Sequence, residues 1–238
     1  MVVGHGVQVP NSVGQFGGMP GACAYHLLRK SSAGIAELIE ENTHLHDLLH
    51  TGGSVQRFDS KPGHFQLHRG EVLAYSFQGG GGYGDPIRRD PEGVARDVRN
   101  GLVTSHWASA LYGVVLRDGI VDAEATHACR RAIRSERLGG HAPKAEPPDG
   151  DGIAAVCPVI DKAKHFRCLC GADLGPATES WKPRASARTV PARAFGPHVT
   201  LHAELELREF SCTECGTLLE TEVARRGQQS LASIVLDS

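Results

Sequence analysis

The stretch that most restricts this chain is Gly79-Gly80-Gly81-Gly82-Tyr83-Gly84-Asp85-Pro86. Its glycines leave a backbone free to take φ > 0 at almost every position. Asp85-Pro86 ends that freedom, because proline fixes its own φ and drives the preceding residue out of the α region. The apolar run Val72 to Phe77 stands before the loop and a helix signature stands after it, so the order reads strand, loop, helix. Such a loop suggests phosphate binding, but the motif tests weaken that reading. A P-loop needs Lys and Ser or Thr directly after its last glycine, where this chain has Asp85 and Pro86. A dinucleotide fingerprint can be laid on Gly79, Gly81 and Gly84, yet its helix should start at once and Pro86 intervenes. The plainer alternative is a tight connection where backbones pack closely.

Downstream of the loop the local signals are sharp. Asp90 is placed to cap a helix that starts at Pro91, with Glu92 in the first turn where the dipole favours an acid. Asn100-Gly101 closes it. Thr104 or Ser105 caps a second short helix bearing Trp107 and Leu111. Val114 to Leu116 and Ile120-Val121 flank Arg117-Asp118-Gly119, a hairpin signal. Asp122 then caps a helix through Arg137, which Gly139-Gly140 ends. Upstream, Ala24–Arg29 reads as a strand, and Phe58 to His68 as a turn followed by a strand. Ile35 to Leu49 shows partial helical periodicity. His44, His46 and His50 in that segment are weighed as metal ligands, but a solvated polar face is the better reading. The Gly- and Pro-rich residues 1–30 cannot form a long helix and need another surface to pack on.

At 238 residues the chain is long enough for one large or two small domains. A formal charge of −2 with 40% hydrophobic residues excludes both a general nucleic-acid footprint and a disordered composition. No run of about 18 apolar residues is present to span a membrane. The N-terminus lacks the basic start and apolar stretch of a signal peptide, so the expected location is the cytoplasm. Residues 139–150 hold three Pro and three Gly and no large apolar side chain, which marks a linker. The expected fold class is α+β. A mixed N-terminal domain with Gly-rich loops (1–138) and a linker (139–152) precede a small β domain of zinc-ribbon type (153–238).

The second domain carries the metal signature. Of seven cysteines, four fall in two tight pairs, Cys168-x-Cys170-Gly171 and Cys212-x-x-Cys215-Gly216. In a chain without an export signal such pairs favour metal over disulfides. Alternation from Val199 to Leu207 predicts a half-buried strand before the second pair, and Leu219 to Val223 alternates after it. Strand, cysteine turn with glycine, strand is the pattern of a zinc ribbon, and four thiolates make a closed, structural zinc site. The C-x-C spacing of the first pair leaves His165 as an alternative to Cys168. Cys23, Cys129 and Cys157 read as ordinary small residues.

Two resemblances follow. Gly4 to Ser12, Phe16 to Gly21, Gly79 to Pro86 with Arg89-Asp90-Pro91, Asp97 to Val103 and Tyr112 to Leu116 resemble the C-terminal part of hydantoinase B/oxoprolinase proteins, over roughly residues 4–137. Cys168 to Gly171, Trp181-Lys182, and Cys212 to Leu219 with Glu222 to Arg225 resemble the zinc-binding gamma subunit of acetone carboxylase, over about residues 160–235. The first resemblance implies either an ATP-dependent amide-ring hydrolase or a ketone carboxylase, and the second favours carboxylation. Together they imply a non-autonomous subunit with a structural zinc. ATP and a divalent metal would lie on its partners, a hydantoinase A-like ATP-binding subunit and a hydantoinase B-like subunit. His5, Gly80, Gly81, Gly82, Tyr83 and Asp85 are candidates for the border of a shared active site. A third reading, a zinc-ribbon adaptor without chemistry, draws on Lys182, Arg184, Arg188 and Arg193, but interspersed glutamates argue against a nucleic-acid face.

Overall fold

The computed structural model describes residues 7–30, 54–58, 64–148, 156–196 and 198–231. His5, the expected helix at 35–49 and His44, His46 and His50 lie outside the described residues. The fold mixes helices with small antiparallel sheets. Strand β1 (Tyr25–Lys30) lies between β2 (Ser54–Phe58) and β3 (Val72–Ser76). The described strand thus sits before Phe58, whereas the sequence pattern placed one after it. Residues 64–68 form no strand, and Phe65 stacks on Phe58.

Among the described residues, three α-helices form where their caps predict. Helix α1 (Pro91–Arg99) begins with the Asp90 carboxylate accepting from Glu92 and Gly93 N–H. Helix α2 (Ser105–Ala110) is capped by Thr104, whose hydroxyl accepts from Trp107 N–H. Between α2 and the next helix, β4 (Leu116–Arg117) and β5 (Ile120–Val121) make a hairpin whose tip, Asp118 and Gly119, takes positive φ at both positions. That is the turn geometry whose twist matches paired strands. Helix α3 (Ala123–Arg137) follows, capped by Asp122 through Ala125 N–H.

The C-terminal half holds two further sheets. One is β6 (Val159–Ile160), β7 (His165–Arg167) and β8 (Asp173–Pro176). The other places β10 (Leu205–Ser211) between β9 (Ser186–Val190) and β11 (Leu218–Arg225). The alternation from Val199 does not form a strand until Leu205. Val199 instead sinks into a core with Val190, Phe195 and Leu207, and Thr200 and His202 bond to the N-terminal segment.

That N-terminal segment does not stand apart. Cys23 N–H donates to His198 O, Thr200 hydroxyl donates to Val7 O, and Thr221 hydroxyl donates to Gly18 O. Tyr25 stacks on His198. The glycine loop meets the same segment backbone to backbone. Gly79 N–H donates to Ala22 O, Gly82 N–H to Met19 O, and Gln15 N–H to Gly82 O. A Cβ on Gly18 would run into the Gly82 carbonyl, and one on Gly81 into the Val13 carbonyl. Close backbone approach thus accounts for glycine at both positions. Residues expected as a linker are anchored as well: Lys144 N–H donates to Glu214 O, and Glu146 pairs with Arg134.

Candidate metal centre

The two cysteine turns sit at the tips of two hairpins. The first joins β7 to β8, and the second joins β10 to β11. Each turn closes through the glycine that follows its second cysteine. Gly171 N–H donates to Cys168 O and Gly216 N–H to Cys212 O, with φ of +90° and +71° at the two glycines. Cys168 N–H reaches Ala172 O, and Cys212 N–H reaches Thr217 O, so each hairpin folds back directly after its cysteines. The tips converge, and all four Sγ atoms lie within 4.8 Å of one another. Cys168 and Cys215 sulfurs are 3.6 Å apart, and Cys170 and Cys212 sulfurs 3.7 Å. Tetrahedral bonds of about 2.3 Å to one ion require sulfur separations close to these.

The surroundings suit bound thiolates. Cys168, Cys212 and Cys215 are buried with Phe166, Leu174, Trp181, Phe210 and Leu219, and only Cys170 is partly open. Amide N–H groups of Ala172, Cys215 and Thr217 point at the sulfurs of Cys170, Cys212 and Cys215 and favour their charged forms. Hydrogen bonds from Cys168 and Cys212 draw the Cys215 thiol down to about 2. Cys168 is pushed far up, first by its contact with Cys157 and then by the other thiols. Without a cation the group cannot hold four negative charges in so small a space, and its members drive one another apart. A divalent ion removes that conflict, and four protein ligands then leave no open position.

His165 is not part of this cluster. Its Nδ1 lies 3.1 Å from both oxygens of Asp173, and the cluster contains sulfur alone. Cys157, which the sequence offered no reason to single out, is buried in the same core beside Cys168. Cys23 lies far off, bonded to Thr200 O. Three of the four residues of the basic stretch are engaged internally: Lys182 pairs with Glu220 and Glu222, Arg184 with Glu179, and Arg188 with Glu136 and Glu209.

The glycine loop ends against the second cysteine turn. Asp85 accepts two bonds from Arg137, at 2.7 and 3.1 Å, one from Leu218 N–H at 2.8 Å and one from Ile87 N–H. Arg137 also donates to Gly216 O. This pair is 1% and 3% exposed at its side chains and ties the loop and α3 to the residues just after Cys215. Gly82, Tyr83 and Asp85 line a cleft of about 360 Å³ with Arg89 and Tyr112. Gly80 and Gly81 do not border it. Tyr83 is half-exposed and packs edge-on against Phe16.

No protein-family model matches the chain. The acetone carboxylase alpha subunit of Xanthobacter autotrophicus shares 40% identity over 79 residues, 31% of this chain and 10% of that protein. Part of this chain is similar to carboxylase and hydantoinase subunits. The beta chain of the caprolactamase of Pseudomonas jessenii is 56% identical over 64 residues, 26% of this chain and 11% of that protein. A hydantoinase B component from a Pseudomonas species is 42% identical over 53 residues, covering 22% and 9%. A solved acetone carboxylase, nucleotide-free, overlays 55% of this chain and 19% of its own at 31% identity and a TM-score of 0.41. The matched part of this chain spans about a tenth of the length of its curated relatives. Among the described residues no helix is long and apolar enough to cross a membrane.

Proposed function

We propose that this chain is a non-autonomous component of an ATP-dependent ketone carboxylase, and that its C-terminal half is a zinc-ribbon domain of the kind found in the acetone carboxylase gamma subunit. Zinc would be held by Cys168, Cys170, Cys212 and Cys215 in a structural role. The observation that carries this reading is the closed, buried set of four sulfurs, because a catalytic zinc keeps a position for water or substrate. The chain thus contributes architecture, and ATP chemistry falls to partners of hydantoinase A-like and B-like type. Similarity to an acetone carboxylase subunit supports the carboxylase class. The cleft beside Gly82, Tyr83 and Asp85 is the part of this chain we place nearest to a shared active site.

One observation favours a second reading, an ATP-linked ring hydrolase. The 56% identity to a caprolactamase chain points to a lactam as substrate. A single experiment separates the two. The tagged chain is purified from its host with its partners, the co-purifying chains are identified, and the complex is assayed. ATP-dependent fixation of bicarbonate onto acetone or acetophenone supports the carboxylase. ATP-dependent opening of a lactam or hydantoin ring supports the hydrolase. A chain that purifies alone, with no partner of either type, contradicts both.

A further inference from the structure

Helix α3 carries a row of basic side chains whose charge compensation fades along its length. His127, Arg130, Arg134 and Arg137 are spaced three, four and three residues apart, which puts them on one helical face. Arg137 is paired with buried Asp85 through both Nη atoms, although its Nε too is buried without a hydrogen-bond partner among the described residues. Arg134 is 8% exposed at its side chain and shares only the half-exposed Glu146, and its Nε is buried without a hydrogen-bond partner among the described residues. Arg130 has no carboxylate in hydrogen-bond contact among the described residues. Its Nε donates to Tyr112 O and its Nη2 to Arg89 O, both neutral carbonyls. Burial, only partly offset by the more distant Asp85, lowers the pKa of this guanidinium, the sign of an under-compensated cation.

The row faces an open cleft of about 970 Å³. Arg130, Arg134 and His127 form one wall. Ile87, Arg88, Asp90 and Pro91 also line the cleft, together with Glu146, Pro147 and Pro148. Ile87, Val121, Pro147 and Pro148 supply apolar surface. The two acids present are already engaged, Asp90 as the cap of α1 and Glu146 with Arg134. The volume falls in the range of small-molecule sites, in which a few polar groups fix a ligand held mainly by apolar walls. A guanidinium presents paired donors that fit a phosphate oxygen face, and two such groups side by side suit a dianion better than a monoanion.

We propose that this cleft binds a small molecule through a phosphate group, with Arg130 and Arg134 as the anion ligands and His127 at the mouth. The site shares no side chain with the four-cysteine centre, although Gly216 of the second cysteine turn packs against the backbone of Arg134. His127 is exposed beside the two arginines.

The full chain is titrated with inorganic phosphate, pyrophosphate and phenyl phosphate at constant ionic strength, with acetate and chloride as controls, by calorimetry and amide chemical-shift mapping. The site predicts saturable binding of the phosphates with shifts at residues 127–134 and at Glu146. Glu146→Gln releases Arg134 from its competing carboxylate and should tighten binding about two- to five-fold, the scale of a half-exposed pair. His127→Glu, at an exposed position that leaves the fold intact, should weaken it by at least as much. Arg130→Gln should abolish saturation, with circular dichroism checking that the chain still folds. Equal response to acetate and phosphate would overturn the phosphate assignment. Absence of saturation in the wild type, or phosphate affinity unmoved by both Glu146→Gln and His127→Glu, would overturn the site.

Discussion

Asp85→Ala tests the join between the glycine loop and the second cysteine turn. The carboxylate is buried and accepts four hydrogen bonds, two from Arg137 and one each from Leu218 and Ile87 N–H. Truncation leaves the Arg137 charge buried without its partner, which costs about 3–5 kcal/mol. The Leu218 amide is orphaned as well, for about 1–3 kcal/mol more. These penalties overlap, so the expected loss is at least about 4 kcal/mol, against a typical total stability of about 5–15 kcal/mol. Urea unfolding followed by tryptophan fluorescence, to which Trp181 in the cysteine core and Trp107 both contribute, reads the loss. Asp85→Asn keeps the shape and one acceptor and should fall between wild type and Asp85→Ala. Adding Arg137→Met to Asp85→Ala removes the orphan charge and should restore part of the stability. A loss below about 1 kcal/mol in Asp85→Ala, or no recovery in the double variant, would refute the reasoning.

Three further outcomes are expected. Gly18→Ala sets a methyl against the Gly82 carbonyl and should destabilise by about 1–3 kcal/mol, measured by thermal unfolding. His165→Ala and Cys23→Ser should leave metal content unchanged, since one side chain is committed to Asp173 and the other to Thr200, and elemental analysis checks both. The purified chain alone should show no ATP-dependent carboxylation or ring opening, and steady turnover by it would contradict a non-autonomous role.

Features set by neighbours in sequence were legible beforehand. Asp90-Pro91, Thr104 and Asp122 start the three helices, because a cap needs only the next three residues. Asp118-Gly119 turns a hairpin, and Gly171 and Gly216 close the cysteine turns. Of the two readings of the glycine loop, the structure supports close packing, with residues 15–22 as the facing backbone. Features set across the chain were not legible. Nothing near Asp85 in sequence names Arg137, 52 residues away, or Leu218, 133 away. Val199 to Ala203 alternates like a strand, yet its partners are Val7, Gln8 and Cys23 rather than a neighbouring strand. Cys157 carries no motif and joins the cysteine core only through the fold. Loss of the metal would not stay confined to the cysteine core. Arg137 and Lys144 both bond to residues 214–216, so disorder at that turn reaches α3 and the residues after it.

Zinc content of the wild type and of Cys212→Ser tests the central claim most directly. Both proteins are purified under reducing conditions and measured by elemental analysis, with unfolding followed in parallel. The account predicts about one zinc per wild-type chain, held by four thiolates. It predicts loss of that zinc in Cys212→Ser together with a large fall in stability, since metal binding at such sites supplies folding free energy on the order of ten kcal/mol. A wild-type chain free of zinc, or a Cys212→Ser chain that keeps it, would contradict the account.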